Sequence, residues 1–114
     1  MDYWRVGERG DDIIIACFAH DKQQQWTAAI AAFSELMVRG ARARRVIVDL
    51  RQMTGYETEA RRAWQEAFRG HRHQMLGVVC VGGSRRIKMG AAVVGAVSGV
   101  PMRFVDEWEQ PAGP

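Results

Sequence analysis

The 114-residue chain is short of most of the residues that enzymes and secreted proteins are built around. It has two cysteines, Cys17 and Cys80, each inside an apolar run with strand character. That placement predicts two small buried thiols rather than a disulfide framework. Its histidines are His20, His71 and His73. His71 and His73 stand two apart near the end of a helical pattern, so they do not share a face, and no cysteine or carboxylate completes a ligand set. No metal site and no cofactor are expected. The serines are Ser34, Ser84 and Ser98, and none sits in a G-x-S-x-G elbow. With no paired histidine or acid–base couple in view, the sequence predicts a protein that is not an enzyme. No apolar run approaches the ~20 residues that span a bilayer. The opening MDYWRVGERGDD lacks a basic region followed by an apolar core, so no secretory signal is read and the chain is expected to be cytoplasmic. Sixteen Lys and Arg against thirteen Asp and Glu give a net charge of +3, too mild to indicate nucleic-acid binding by itself.

What is present is organised around Arg45–Trp64, RVIVDLRQMTGYETEARRAW. Val46, Ile47, Val48 and Leu50 form the near-continuous apolar run of a strand covered on both faces. Ala60, Ala63, Trp64, Ala67 and Phe68 then recur at the spacing of one helical stripe. Between strand and helix lies an exposed loop over residues 52–59. In open α/β folds, function gathers at such strand-to-helix loops.

The rest of the chain falls into place on either side. Tyr3–Arg9, the Gly10-Asp11-Asp12 turn and Ile13–Phe18 predict an antiparallel hairpin with its first strand at a sheet edge. Asp21 and Gln24 have the D-x-x-Q spacing of a capping box opening a first helix, which keeps its period through Trp26, Ala29, Ile30, Phe33 and Met37 and stops at Gly40. Arg39, Arg42, Arg44 and Arg45 then read as a solvated basic turn at the negative end of that helix. In the second helix, Arg62–Glu66 and Glu66–Arg69 have ion-pair spacing. A strand over Leu76–Val81, a Gly82-Gly83-Ser84 turn, a third helix from Arg85 to about Ser98 and a strand over Met102–Val105 follow. Residues 106–114 form a short polar tail carrying Trp108, which either marks a homodimer surface or caps the sheet. The order β-β-α-β-α-β-α-β predicts one α/β domain over residues 1–114, with a mixed sheet of about five strands, three helices and parallel right-handed β-α-β units.

This pattern resembles the STAS domain, the SpoIIAA-like fold of bacterial anti-sigma-factor antagonists. The residues that carry the likeness are the hairpin, the strand Val46-Ile47-Val48-Asp49-Leu50, the loop Met53-Thr54-Gly55-Tyr56-Glu57-Thr58 and the later strand with its glycine turn. The resemblance implies a non-catalytic signalling or scaffolding module that binds a protein partner, a regulatory kinase-like protein or a scaffold, through Thr54, Tyr56, Glu57, Thr58 and Glu59. Where phosphorylated antagonists carry their acceptor serine at the helix start, this chain has Glu59. A carboxylate there is stabilised by the helix dipole and acts as a fixed negative charge. Thr58 matches the preceding hydroxyl, as a phosphoacceptor or as a helix cap. Two readings are open for Tyr56: an anchoring contact for the partner, or a lid folded over the core.

A second constellation points to another class of function. Gly83, Ser84, Arg85, Arg86 and Lys88 combine a flexible backbone, a helix start and three cations, the parts of an anion cradle. The cations oppose their own helix dipole, which invites a ligand. No nucleotide-binding fingerprint is matched. The alternative function is therefore a small-molecule, nucleotide or lipid carrier, SEC14-like, with an anionic group held at this turn or a pocket beneath the Gly- and Ala-rich third helix. Contact with anionic lipid belongs to the same reading.

Overall fold

The computed structural model describes residues 2–40 and 42–108. β1 (Trp4–Arg9) and β2 (Asp12–Phe18) form the antiparallel hairpin, closed at Arg9↔Asp12 with Gly10 at φ +58°. A positive φ is what a two-residue hairpin turn requires, and glycine reaches it without strain. After α1 (Trp26–Arg39) come β3 (Arg44–Gln52), α2 (Thr58–His71), β4 (Met75–Val81), α3 (Arg85–Ser98) and β5 (Met102–Val105). The sheet order is β1-β2-β3-β4-β5, with every pair after the hairpin parallel. The expected α/β order and mixed five-stranded sheet are present, with β1 at one edge and β3 in the middle. Of the expected tail, residues 109–114 lie outside the described residues.

Because the strands are laid down in one direction across the sheet, right-handed crossovers put every helix on the same face. The register makes this visible. Ile13, Val46, Val78 and Met102 share one row, and Ile15, Val48, Cys80 and Phe104 share the next. Apart from Phe104 at the sheet edge, these rows pack against Phe33 and Met37 of α1, Trp64 and Phe68 of α2, and Ile87 and Val94 of α3. Phe33, Trp64 and Phe68 pack in tilted and edge-to-face contacts with centroids 5.4–6.0 Å apart. Among the described residues the opposite face carries no helix, yet Ile47 is almost as deeply buried as its neighbour Val46. Ile14, Val105 and Trp108 pack around Ile47, Val79 and Val81, and the Arg45 guanidinium lies 4.9 Å from the Trp108 ring centre. Trp108 thus caps the sheet.

Several local expectations are corrected. α1 begins at Trp26, so Asp21 and Gln24 do not form a capping box. Asp21 is instead a buried tie: Oδ2 accepts from the Trp4 indole and the Trp26 backbone, both at 2.8 Å, and Oδ1 accepts from Gln23 N–H at 3.0 Å. Burial pushes its carboxyl up, but these donors outweigh it and hold the group below the usual carboxylate range. The basic turn is not simply solvated. Arg44 is buried, pairs with Glu8 at 2.6 Å and donates to the carbonyl of Asp11, while Arg45 pairs with Asp12 at 2.6 Å. Two of the four arginines therefore fasten the central strand to the hairpin turn. Glu66 approaches Arg69 at 3.8 Å, whereas no Arg62–Glu66 pair forms among the described residues.

Candidate functional site

Parallel strands bring the loops that follow β2, β3 and β4 to one end of the sheet, and the residues singled out in sequence meet there. The middle loop, residues 53–57, leaves β3 with a Met53 N–H to Leu50 carbonyl bond of 3.2 Å. It is tied to the loop after β2 at Thr54 N–H to the Ala19 carbonyl (3.3 Å) and Ala19 N–H to the Gln52 carbonyl (2.9 Å). Ala19 holds φ at +89°, an uncommon conformation for a residue with a side chain and one that must be imposed by its surroundings.

Two clamps fix the loop. His20 Nε2 lies 2.7 Å from Glu57 Oε2, and the imidazole rests so closely on Gly55 that a Cβ there would fall 2.6 Å from Nδ1. On the other side, Tyr56 turns inward. Its ring covers the backbone of Gly90 on α3, where a Cβ would come within 2.6 Å of Cζ. Of the two readings of Tyr56, the lid over the core is the one its packing supports. Tyr56 is half-buried there. Beneath the ring lies an apolar cavity of about 80 Å³ between sheet, α2 and α3, lined by Leu50, Trp64, Ile87 and Val94 among others.

The loop thus presents a different set outward from the one sequence proposed. Thr54, Thr58 and Glu59 are exposed, while Tyr56 and Glu57 are half-buried and spent on internal contacts. Thr58 does not cap the helix. Glu57 occupies the N-cap position without a side-chain cap bond, Thr58 is the first helical residue, and Glu59 stands in the acidic first turn. There its charge is favoured by the positive end of the helix dipole. Asp49, at the end of the apolar run, is held below the usual carboxylate range by Arg51, whose Nε and Nη2 each donate to it at 2.9 Å.

The glycine turn sits beside this loop. Gly82 and Gly83 have φ of +68° and +95°, and a Cβ on Gly82 would meet Arg51 Cγ at 2.5 Å. Ser84 is the N-cap of α3 and accepts from Ile87 N–H at 3.3 Å, so its hydroxyl serves the helix itself. Lys88 is paired with Asp106 at 3.3 Å. Arg85 and Arg86 are exposed and form no ion pair among the described residues. What the sequence reading missed is the His20–Glu57 couple, 37 residues apart, and the role of Gly55 and Gly90 in seating it and Tyr56. A single sequence offers no signal for that pair beyond the topology that brings the two loops to one end.

Searches of family models and of curated proteins find no match. Among solved structures, the chain is similar to an uncharacterised protein of the DUF3478 family from Shewanella loihica PV-4, described as having a SpoIIAA-like fold. The TM-score is 0.68 at 9% identity, over 91% of this chain and 85% of that one. Strand order, hairpin and helical layer thus agree with the resemblance read from sequence: this chain has a SpoIIAA-like fold.

Proposed function

We propose that the chain is a non-catalytic signalling or scaffolding module of the cytoplasm that docks a protein partner on the loop and helix start between Thr54 and Glu59. The observation that carries this reading is the double clamp of that loop, His20 on one side and Gly90 on the other. A loop held in one conformation before binding loses little further freedom on binding. Thr54, Thr58 and Glu59 are its outward groups, and Glu59 supplies a constant negative charge where a switchable phosphate would otherwise be needed. The His20 ring is engaged by Glu57, so both side chains serve to hold the loop.

The test is affinity capture with the wild type, Glu59→Gln and Thr54→Asp as baits, each checked for unchanged thermal unfolding. A protein captured by the wild type and lost from both variants supports the reading. Equal capture by all three overturns it.

The second reading is a small-molecule carrier, for which the apolar cavity under Tyr56 would be the site. Its volume decides against an acyl chain: about 80 Å³ is roughly half of the ~150 Å³ that admits benzene. A carrier would show a rise in thermal stability with ligand and no dependence on Glu59.

A further inference from the structure

The solvent side of α3 has an unusual composition. The helix RRIKMGAAVVGAVS contains no acidic residue. At 3.6 residues per turn, its exposed positions fall in one arc of roughly 140°. Arg85 and Arg86 open the arc, and Met89, Ala92, Val93, Ala96 and Val97 complete it. Met89 is 65% exposed and Val97 43%, and Phe104, on the adjoining edge strand, is 37% exposed. A surface helix ordinarily turns polar groups outward, and this one turns none outward beyond its first turn. The core does not account for the arc, since α3 buries Ile87, Gly90 and Val94 on its other side.

The charges at its ends say what covers it. Arg85 and Arg86 sit at the positive end of their own helix dipole, where they cost stability, and no carboxylate among the described residues pairs with them. At the other end, Arg69 donates to the Val97 carbonyl at 3.2 Å, and Arg72 lies about 4.0 Å from where a Gly99 Cβ would stand. A second copy packed antiparallel would bring Arg85 and Arg86 against the partner's cations at that end, and a parallel copy would bring them against each other. The exposed side chains of the arc lie outside the apolar cavity under Tyr56, since Met89, Val93, Val97 and Phe104 are not among its lining residues. A planar, anionic surface with an apolar interior fits both the exposed apolar arc and the cations at its ends.

We propose that the exposed arc of α3, with Phe104, rests on the surface of an anionic lipid bilayer. Met89, Val93, Val97 and Phe104 enter the headgroup boundary, and Arg85 and Arg86 meet lipid phosphates and carboxylates. This surface is distinct from the Thr54–Glu59 loop, so failure of either reading leaves the other standing.

Flotation with vesicles of phosphatidylcholine alone, or mixed with phosphatidylserine, tests it. Binding is expected only to the mixed vesicles and should weaken as salt is added. Removing the arginines in Arg85→Ala/Arg86→Ala should lower partition about fivefold for each cation lost. Met89→Asp/Val93→Asp should abolish it, whereas Val38→Asp, at an exposed apolar position on α1, should leave it unchanged. All these side chains face solvent, so the variants should stay folded, with a melting temperature raised slightly in Arg85→Ala/Arg86→Ala, where two cations leave the positive end of the helix. Absent binding of the wild type, binding unaffected by Met89→Asp/Val93→Asp, or a dimer in light scattering that those substitutions dissolve while vesicles stay unbound would each overturn the proposal.

Discussion

The seating of Tyr56 on Gly90 can be tested by adding one methyl group. In Gly90→Ala the new Cβ would stand 2.6 Å from Tyr56 Cζ, 2.7 Å from its hydroxyl oxygen and 2.8 Å from Cε1. Ordinary carbon contacts lie near ~3.5–4.0 Å, so the ring must retreat by about 1 Å. Two effects compete. Alanine in a helix interior is better than glycine by about 1 kcal/mol. Overpacking of this kind costs about 1–3 kcal/mol. The net expectation is a loss of about 0–2 kcal/mol, which alone would be hard to interpret. Gly70→Ala supplies the control, because nothing lies within 4 Å of a Cβ there. It should stabilise by about 0.4–1 kcal/mol. The decisive variant is Gly90→Ala in a Tyr56→Ala background, where the obstacle is gone and the full helix gain of about 1 kcal/mol should return. The coupling between the two sites is then about 1–3 kcal/mol. Urea unfolding followed by tryptophan fluorescence reads all four variants, since Trp64 lines the cavity under the ring. If Gly90→Ala stabilises the otherwise unaltered protein as much as Gly70→Ala does, Tyr56 is not seated on α3 and the loop lacks one of its two clamps.

Asp21→Asn should cost about 1–2 kcal/mol, because an amide keeps one acceptor oxygen. Asp21→Ala should cost about 3–4 kcal/mol, because it leaves the Trp4 and Trp26 donors unsatisfied. The ionised Asp21 has a folded pKa below its unfolded one, so its stabilisation is full above about pH 4 and is lost as pH falls through that range toward the lower folded value. Acid titration of unfolding should therefore be shallower in Asp21→Asn, with Asp49, lowered by Arg51, supplying part of the remaining slope; an unchanged slope would refute the assignment. Burial raises both the Cys17 and Cys80 thiols to about 12, so neither should react with a thiol-specific disulfide reagent in mildly alkaline native buffer, and both should react in denaturant. Rapid reaction of the native protein would contradict their placement in β2 and β4.

The fold was legible because its signals are local and agree with one another. The run from Val46 to Leu50, the stripe from Ala60 to Phe68 and the glycine turn each name an element without reference to the rest, and short connections leave few ways to arrange them. The misplaced features are those in which a polar side chain reaches across the chain. Asp21 and Gln24 have the spacing of a cap, but Asp21 serves Trp4 on the edge strand as well as Trp26, and that demand moves the helix start to Trp26. Arg44 and Arg45 look like a solvated pair after a helix. They prove to be ties to Glu8 and Asp12, which only the hairpin register brings near.

The same distinction governs the candidate site. Sequence located the loop, since a loop between a buried strand and an amphipathic helix must lie at the end of the sheet. It could not assign inward and outward residues within the loop, because five residues without periodicity carry no face. That assignment is made by His20 and Gly90, one on the loop after β2 and the other on α3. Gly90 is legible only as a small residue in a small-residue helix, and its neighbour in space, Tyr56, has no counterpart in its local sequence. Parallel winding makes the three loops neighbours. The turn carrying Arg85 and Arg86 therefore adjoins the corner carrying Glu59, and a partner reaching across both would meet one fixed negative charge beside two positive ones. If the corner binds a protein while α3 rests on lipid, the cations face the bilayer and the carboxylate stays free for the partner, so charge reversal at Glu59 and at Arg85 should affect different assays.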